Sequence, residues 1–477
     1  MRDILREARD QLASLPVETL KTTRVFLDRL NDNPEAARYF LTYSDWSPVT
    51  AEEIFDAVEA KTAERTQVYV DFPFCPTVCN FCAFYPVLAK DEERMASYVR
   101  SMKKEVRLLR QTYFDQGHTA GSLELGGGTP TQLPLHLLKD AILTILEEFP
   151  FAAEGERNSE TTPEAIVGEQ GVAKLKFLRE VGFNRLSIGA QSFKDTVLKS
   201  ANRSHTSAQT LEALDNARAL GFERINFDLL LGLMDQTVGD FIESVERCLE
   251  LDIDIIEIYS MRYFDTKKPV PLTQKFLSQP ARFMMENDIL VARVAAHLLL
   301  SDAGYTSCNG RTYYRPTEGY YSEYYRENFL GSNVLGVGRK SHSNIYPWQY
   351  ANYRNIDKYS AALDNDMLPI AAGHKMSNRG LLAKHLTGAL QLAEPIYYNA
   401  IRNNVGEEEA KPFDDLLKDF AAYGLLTGAG GVYEKTFFGF LFIEEMLKSV
   451  FDVAVTPFSI NTEFLGKKQV SQLRPQQ

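Results

Sequence analysis

Cysteine and tryptophan are scarce in this chain: 477 residues hold five Cys and two Trp. An odd thiol count with two isolated members, Cys248 and Cys308, excludes a disulfide framework and suits a reducing compartment. Basic clusters are missing too. The formal net charge is -12 and the signs are mixed along the chain, so the electrostatic footprint of a nucleic-acid or anionic-lipid binder is absent. Long hydrophobic runs are lacking, since the best candidate, "TFFGFLFIEEML" (436–447), is too short and too charged to span a bilayer. The opening "MRDILREARDQLASLPVETL" has no apolar core of the signal-peptide kind. A cytoplasmic protein with small-molecule partners, and neither nucleic acid nor membrane, is therefore expected. With 44% hydrophobic residues, disorder and fibrous architecture are excluded as well.

What the chain does contain is a concentration of its rare thiols. "CPTVCNFC" (75–82) places Cys75, Cys79 and Cys82 within eight positions, on a loop after the β-rich run "TQVYVDF" (66–72). Met95, Tyr98, Val99, Met102, Val106 and Leu109 then recur at helical spacing. "GSLELGGGTP" (121–130) supplies the next strand, and a helix follows on Leu137, Leu138, Ile142, Ile145 and Leu146. "LREVGFNRLSIGAQ" and "ARALGFERINFDLL" repeat one unit, a helix stopped by Gly182 or Gly221 and followed by a strand, and "LELDIDIIEIYS" reads as a third copy without the glycine.

Alternating helices and strands predict an α/β fold with parallel strands, specifically a partial (β/α)6 TIM-type barrel. The expected organisation is an N-terminal helical segment (1–65), the partial barrel (66–300), a flanking segment with extra strands (301–354), a mainly helical C-terminal domain (355–465) and a loose tail (466–477). Strand ends and following loops form the active face of such barrels. They would gather Cys75–Cys82, Gly126–Thr129, Glu160, Gln191, Asp228 and the segment Tyr259–Phe264.

Three thiolates on one loop suit soft metals, either zinc or iron–sulfur. Zinc wants a fourth ligand, and the nearest histidine, His118, is far off in sequence. Buried packing is a poor account of the three, because Pro76 and Asn80 interrupt them. A 4Fe-4S cluster held by three cysteines keeps one iron open.

The spacing Cys-x3-Cys-x2-Cys with Phe81 before the last cysteine resembles the signature of the radical S-adenosylmethionine (SAM) enzymes. "YVDFPFCPTVCNFCAF", "GGGTPTQL", "LSIGAQSF", "NRSHT" and "DLLLGL" are similar, in order, to the branch related to oxygen-independent coproporphyrinogen III dehydrogenase. The resemblance implies that the open iron chelates the methionyl moiety of SAM. An electron into the cluster then releases methionine and a 5'-deoxyadenosyl radical, with flavodoxin or ferredoxin as donor. It also implies site roles. Gly126, Gly127, Gly128 and Thr129 would lie against the methionyl amine, Glu160 and Arg203 would bind its amine and carboxylate, Gln191 and Asp228 the ribose, and Tyr69 would sit near the sulfonium. Each has a structural alternative: a tight glycine turn, a helix cap at Asp228, a surface ion pair at Arg203, a core aromatic at Tyr69.

Departures from the branch pattern steer the functional expectation. Phe84 stands where the coproporphyrinogen enzyme has a fourth cysteine, Asp71 where many relatives have histidine, and Met234 where proline is usual. The segment "YYRENFLGSNVLGVGRKSHS" lacks the His-Asn and Trp of the related haem chaperone. What remains resembles class C methyltransferases, cyclopropanases and anaerobic haem-opening enzymes, which bind two SAM molecules together. The expectation is therefore a C-methyltransferase or cyclopropanase acting on a planar or unsaturated substrate. A haem-opening or coproporphyrinogen-dehydrogenase-like enzyme is the alternative, and a haem chaperone the alternative of another class. Phe81, Leu230 and Arg262 fall at second-SAM positions, Arg262 either reading a substrate carboxylate or forming an ion pair. The tyrosines from Tyr313 to Tyr325 either stack a planar substrate or pack on the C-terminal domain. His342 is expected as a satisfied turn histidine.

Overall fold

A computed structural model describes residues 2–14, 46–56, 58, 65–82, 84, 86–261, 271–316, 321–403 and 405–454. Strand and helix alternate through β1 (Arg65–Phe72), α1 (Glu92–Thr112), β2 (Thr119–Gly127), α2 (Leu135–Glu148), β3 (Arg157–Thr161), α3 (Gly168–Glu180), β4 (Arg185–Gln191), α4 (Ser207–Ala219), β5 (Arg224–Leu231), α5 (Val238–Glu250) and β6 (Ile255–Ser260). Neighbouring strands of this set pair in parallel.

Local chemistry sets the boundaries. Asp91 caps α1 by accepting from the Arg94 amide at 3.2 Å, and Thr206 and Thr237 form capping boxes with Gln209 and Asp240 at the starts of α4 and α5. Gly182 and Gly221 end the helices before β4 and β5 with φ of 88° and 75°, the left-handed conformation that a helix stop requires.

Strands β1, β2, β4 and β5 carry a period of two. Val68, Val70 and Phe72 on β1, Leu123 and Leu125 on β2, Leu186 and Ile188 on β4, and Ile225, Phe227, Leu229 and Leu231 on β5 are buried in the main apolar core. The intervening positions are Gln67, Tyr69 and Asp71; Ser122 and Glu124; Arg185 and Ser187; Asn226 and Asp228. Alternation therefore sends the polar residues of these four strands to the face opposite the helix layer, the inside of the curved sheet.

The sheet continues beyond these six strands. After α6 (Glu286–Asp302) come β7 (Thr306–Ser307), β8 (Thr312–Tyr314), α7 (Glu323–Leu330), β9 (Val334–Val337), β10 (His342–Ile345), β11 (Trp348–Asn352) and β12 (Ile370–Lys375). The order is β12-β11-β10-β9-β1-β2-β3-β4-β5-β6-β8-β7. β9 lies parallel to β1, β8 antiparallel to β6, and the two ends do not pair, so the barrel stays open. His342 sits in strand β10 opposite Ala351, with its ring 6.1 Å from that of Trp46, not in a turn.

The C-terminal part is helical, with Asn378–Gln391, Glu407–Ala422 and Ile443–Ala454 as its main helices, plus a small antiparallel sheet of Ile396–Tyr397, Val432–Lys435 and Leu426–Ala429. Residues 455–477, including the expected tail, lie outside the described residues. Helix α7 lies between this region and the barrel, touching β1 and β2 on one side and Asn378–Gln391 on the other. No helix among the described residues is long and apolar enough to cross a membrane.

Candidate functional site

Pro73 breaks the chain after β1, and Phe74–Cys75 forms a short parallel pair with Val87–Leu88. This pair anchors the start of the cysteine loop. Its middle is tied to the segment after β4: the Asn80 amide donates to Ser200 O at 2.8 Å, and the Asn202 amide to Val78 O at 2.8 Å. The polar residues between the cysteines therefore hold the loop in place. Thr129 Oγ1 lies 3.7 Å from Cys75 Sγ, Arg203 Nη1 donates to Cys79 Sγ at 3.3 Å, and the Phe84 amide donates to Cys82 Sγ at 3.4 Å.

Burial pushes the Cys75 thiol up to about 11, despite the Thr129 hydrogen bond, and burial likewise raises Cys82. Desolvated thiols become thiolates readily only when a cation compensates them. Among the described residues no three His, Cys, Asp or Glu side chains close on one point as a mononuclear ion needs. In a four-iron cluster each thiolate takes its own iron, so the sulfurs stay apart. The donor set fits such a cluster.

The glycines at the end of β2 make a cradle that a Cβ would fill. A Cβ at Gly126 would stand 2.8 Å from the Glu160 carboxyl, at Gly127 2.0 Å from Asp71 Oδ1, and at Gly128 2.6 Å from Phe72 O. Gly127 also has φ of 95°. Near Gly189 on β4, Gln191 Oε1 and Arg203 Nε are buried with no hydrogen-bond partner among the described residues, while Arg203 Nη2 donates to Gly189 O at 3.1 Å. Gln191 holds φ of 65°, a strained conformation for a side-chain-bearing residue. Buried polar atoms left unmatched beside these close-packed glycines fit a polar ligand such as SAM.

Tyr69 is half-buried on β1, its ring 6.4 Å from that of Tyr324 on α7. Burial, then the negative charges of Glu160 and Asp71, raise its phenol. Glu160, on β3, is raised by burial and by Glu124 and Asp228, against one hydrogen bond from the Gly127 amide. Asp228 lies inside β5 rather than at a helix start, accepts from the Asn226 amide at 2.8 Å, and is pushed up to about 7 by burial and Glu257.

The tyrosine-rich stretch turns inward. Tyr313, Tyr314, Tyr321 and Tyr324 are buried, and Tyr325 packs against Tyr321 and Tyr324 at 5.9 and 5.2 Å between ring centroids. The helix that carries Tyr324 and Tyr325 packs on Asn378–Gln391 of the C-terminal region as well as on β1 and β2, so these tyrosines are interior rather than surface residues. Strand alternation, read through, would have found the buried charges beside them. Arg185 lies 3.5 Å from Glu156 and 3.9 Å from Glu124. Arg311 stacks over Tyr259 at 5.0 Å and lies 4.0 Å from Glu257, which accepts from the Tyr259 hydroxyl. Phe81 and Leu230 meet in a small apolar group with Val197, Ala201, Leu233, Tyr259 and Met261. Arg262 lies outside the described residues.

Comparison with known proteins accords with this geometry. Residues 69–248 match the Radical SAM superfamily. The chain is 27% identical over 437 residues to an oxygen-independent coproporphyrinogen III oxidase of Helicobacter pylori, covering 88% of this chain and 92% of the relative. A Synechocystis protein of the same name is 27% identical over 361 residues, 72% of this chain and 76% of the relative. The solved coproporphyrinogen III oxidase (HemN) of Escherichia coli has the same fold, with TM-score 0.75, 22% identity and coverage of 86% of this chain and 96% of that one.

These findings overturn the expectation of a C-methyltransferase or cyclopropanase, since the relatives are oxidases by name. The physical reason is that Asp71, Phe84 and Met234 are single-residue departures that leave the sheet intact, and none of them dictates carbon transfer. Residues 69–248 form a radical SAM domain, in a chain that resembles the oxygen-independent coproporphyrinogen III oxidases.

Proposed function

We propose that this enzyme is an oxygen-independent oxidase of a tetrapyrrole of the coproporphyrinogen class. The observation that carries the proposal is the extent of the similarity: it runs over 88% of the chain, past the cysteine loop and through the segments that flank the open barrel, to relatives named for that activity. When bound, the cluster and SAM would supply a hydrogen-atom acceptor strong enough to oxidise an unactivated carbon. Cys75, Cys79 and Cys82 would hold the cluster, a one-electron donor such as flavodoxin or ferredoxin being the external requirement.

The chain's own residues do the rest. The cradle of Gly126, Gly127 and Gly128 leaves room for backbone to approach the methionyl group, and Glu160, Thr129 and Arg203 would orient it. Gln191 and Asp228 would take the ribose hydroxyls, and Tyr69 would close the site beside the sulfonium. Tyr324, buried, and Tyr325, half-buried beside it, would exclude water from the space that an oxidised carbon must share with the acceptor. The apolar group holding Phe81 and Leu230 would accommodate a second SAM molecule.

Anaerobically reconstituted protein, given dithionite, SAM and coproporphyrinogen III, should consume the tetrapyrrole while accumulating methionine and 5'-deoxyadenosine, by mass spectrometry. Replacing any one of the three cysteines with alanine should abolish both. Cleavage of SAM with the tetrapyrrole unchanged would reject the substrate class. Equilibrium dialysis with labelled SAM counts the bound molecules, two being expected.

A further inference from the structure

Lys340 stands on the turn between β9 and β10, and that turn is fixed from below. Glu105 on α1 accepts from the Gly338 amide at 2.7 Å, and the Tyr98 hydroxyl donates to Asp71 O at 2.6 Å while accepting from the Arg339 amide at 3.1 Å. β1 and β9 run side by side up to Val70 and Val337, so the turn arrives next to Asp71. Asp71 is fully buried, and neither carboxylate oxygen has a close hydrogen-bond partner among the described residues. Its charge is answered by Lys340 Nζ at 3.6 Å and Arg339 Nε at 3.8 Å.

From that position Lys340 reaches the cysteine loop. Its Nζ donates to Phe84 O at 2.7 Å and sits 5.0 Å over the Phe84 ring. The Phe84 amide in turn donates to Cys82 Sγ. A buried carboxylate, an ammonium, a backbone carbonyl and a thiolate ligand thus form one connected series. The lysine side chain is only 20% exposed, so its charge is weakly screened at Cys82. None of the sequence motifs predicted this contact.

We infer that Lys340 is a positioning residue for the cysteine loop: its hydrogen bond holds the loop at Phe84, and its charge, partly offset by Asp71, sets the reduction potential of the centre that the thiolates hold. The inference rests on a 4Fe-4S cluster being that centre. A fixed cation favours the reduced, more negative cluster, and a fixed anion opposes it. Lys340 and Asp71 should therefore move the potential in opposite directions.

The test uses full-length, anaerobically reconstituted protein without SAM, titrated for potential by electron paramagnetic resonance and challenged with an iron chelator. Lys340→Met should lower the potential and release iron several-fold faster than wild type. Lys340→Gln, which keeps a donor for Phe84 O without the charge, should lower the potential yet retain iron like wild type. Lys340→Arg should restore both, and Asp71→Asn should raise the potential. A wild-type protein that binds no iron would reject the cluster itself. A wild-type cluster whose potential is unmoved by Lys340→Gln, or moved the same way by Lys340→Gln and Asp71→Asn, would reject the inference, and these two variants keep a polar group at each position if Lys340→Met misfolds.

Discussion

Glu105 offers a quantitative test of the layer beneath the site. Its carboxylate accepts from the Gly338 amide at 2.7 Å, the Asn352 amide at 2.6 Å and the Tyr359 hydroxyl at 2.5 Å, and the side chain is 1% exposed. Burial outweighs these bonds and pushes the carboxyl up to about 7, from an ordinary 4.5. An acid raised on folding binds a proton more tightly in the folded state. Its contribution to stability is fully present below pH 4.5 and is lost as the pH rises through 7. A carboxyl moved over that interval is worth about 3 kcal/mol. Glu105→Gln removes the titration while keeping a group of the same shape. Thermal unfolding of wild type and variant, followed by near-ultraviolet circular dichroism from pH 5 to 8, should show the advantage of wild type over variant shrinking by about 2 to 3 kcal/mol. Other raised acids, Asp71, Glu124 and Asp228, tilt both curves alike and cancel in the difference. Curves that stay parallel across this range would refute the assignment.

Three further outcomes are expected. Gly127→Ala forces a Cβ to within 2.0 Å of Asp71 Oδ1 at a φ of 95°, so it should lower stability by at least about 1 kcal/mol and weaken SAM binding, read by thermal melts and calorimetry. Arg185→Met strands the buried Glu124 and Glu156 carboxylates and should cost about 3–5 kcal/mol, part of it recovered when Glu124→Gln is added, in a double-mutant cycle. Arg203→Lys keeps the charge but loses the fork that reaches both Cys79 Sγ and Gly189 O, so SAM affinity should fall about tenfold or more in equilibrium dialysis.

The parallel strands were legible because Gly182 and Gly221 mark helix stops at a repeated interval, and helix stops followed by apolar alternation have few other meanings. The cysteine loop was legible because three rare residues at fixed spacing have one efficient chemistry. Two things were hidden. The inward turn of Tyr324 and Tyr325 depends on where α7 is laid against β1 and β2, a non-local contact that composition does not encode. Lys340 was hidden for the same reason: its partners Asp71 and Phe84 lie far away along the chain, and a lysine in a turn looks solvated until the pairing of β1 with β9 is known. The methyl-transfer expectation failed differently. Single-residue departures at positions 71, 84 and 234 were weighed above similarity spread over most of the chain.

The pairing of Val70 with Val337 has a consequence for biosynthesis. During translation the thiol-bearing segment leaves the ribosome long before β9 does, so the nascent chain carries its cysteine loop without the Lys340 contact until about two-thirds of the chain has been made. Metal loading of a truncated chain ending before residue 334 should therefore be labile, and maturation factors would meet their proper target only after synthesis of the far strand.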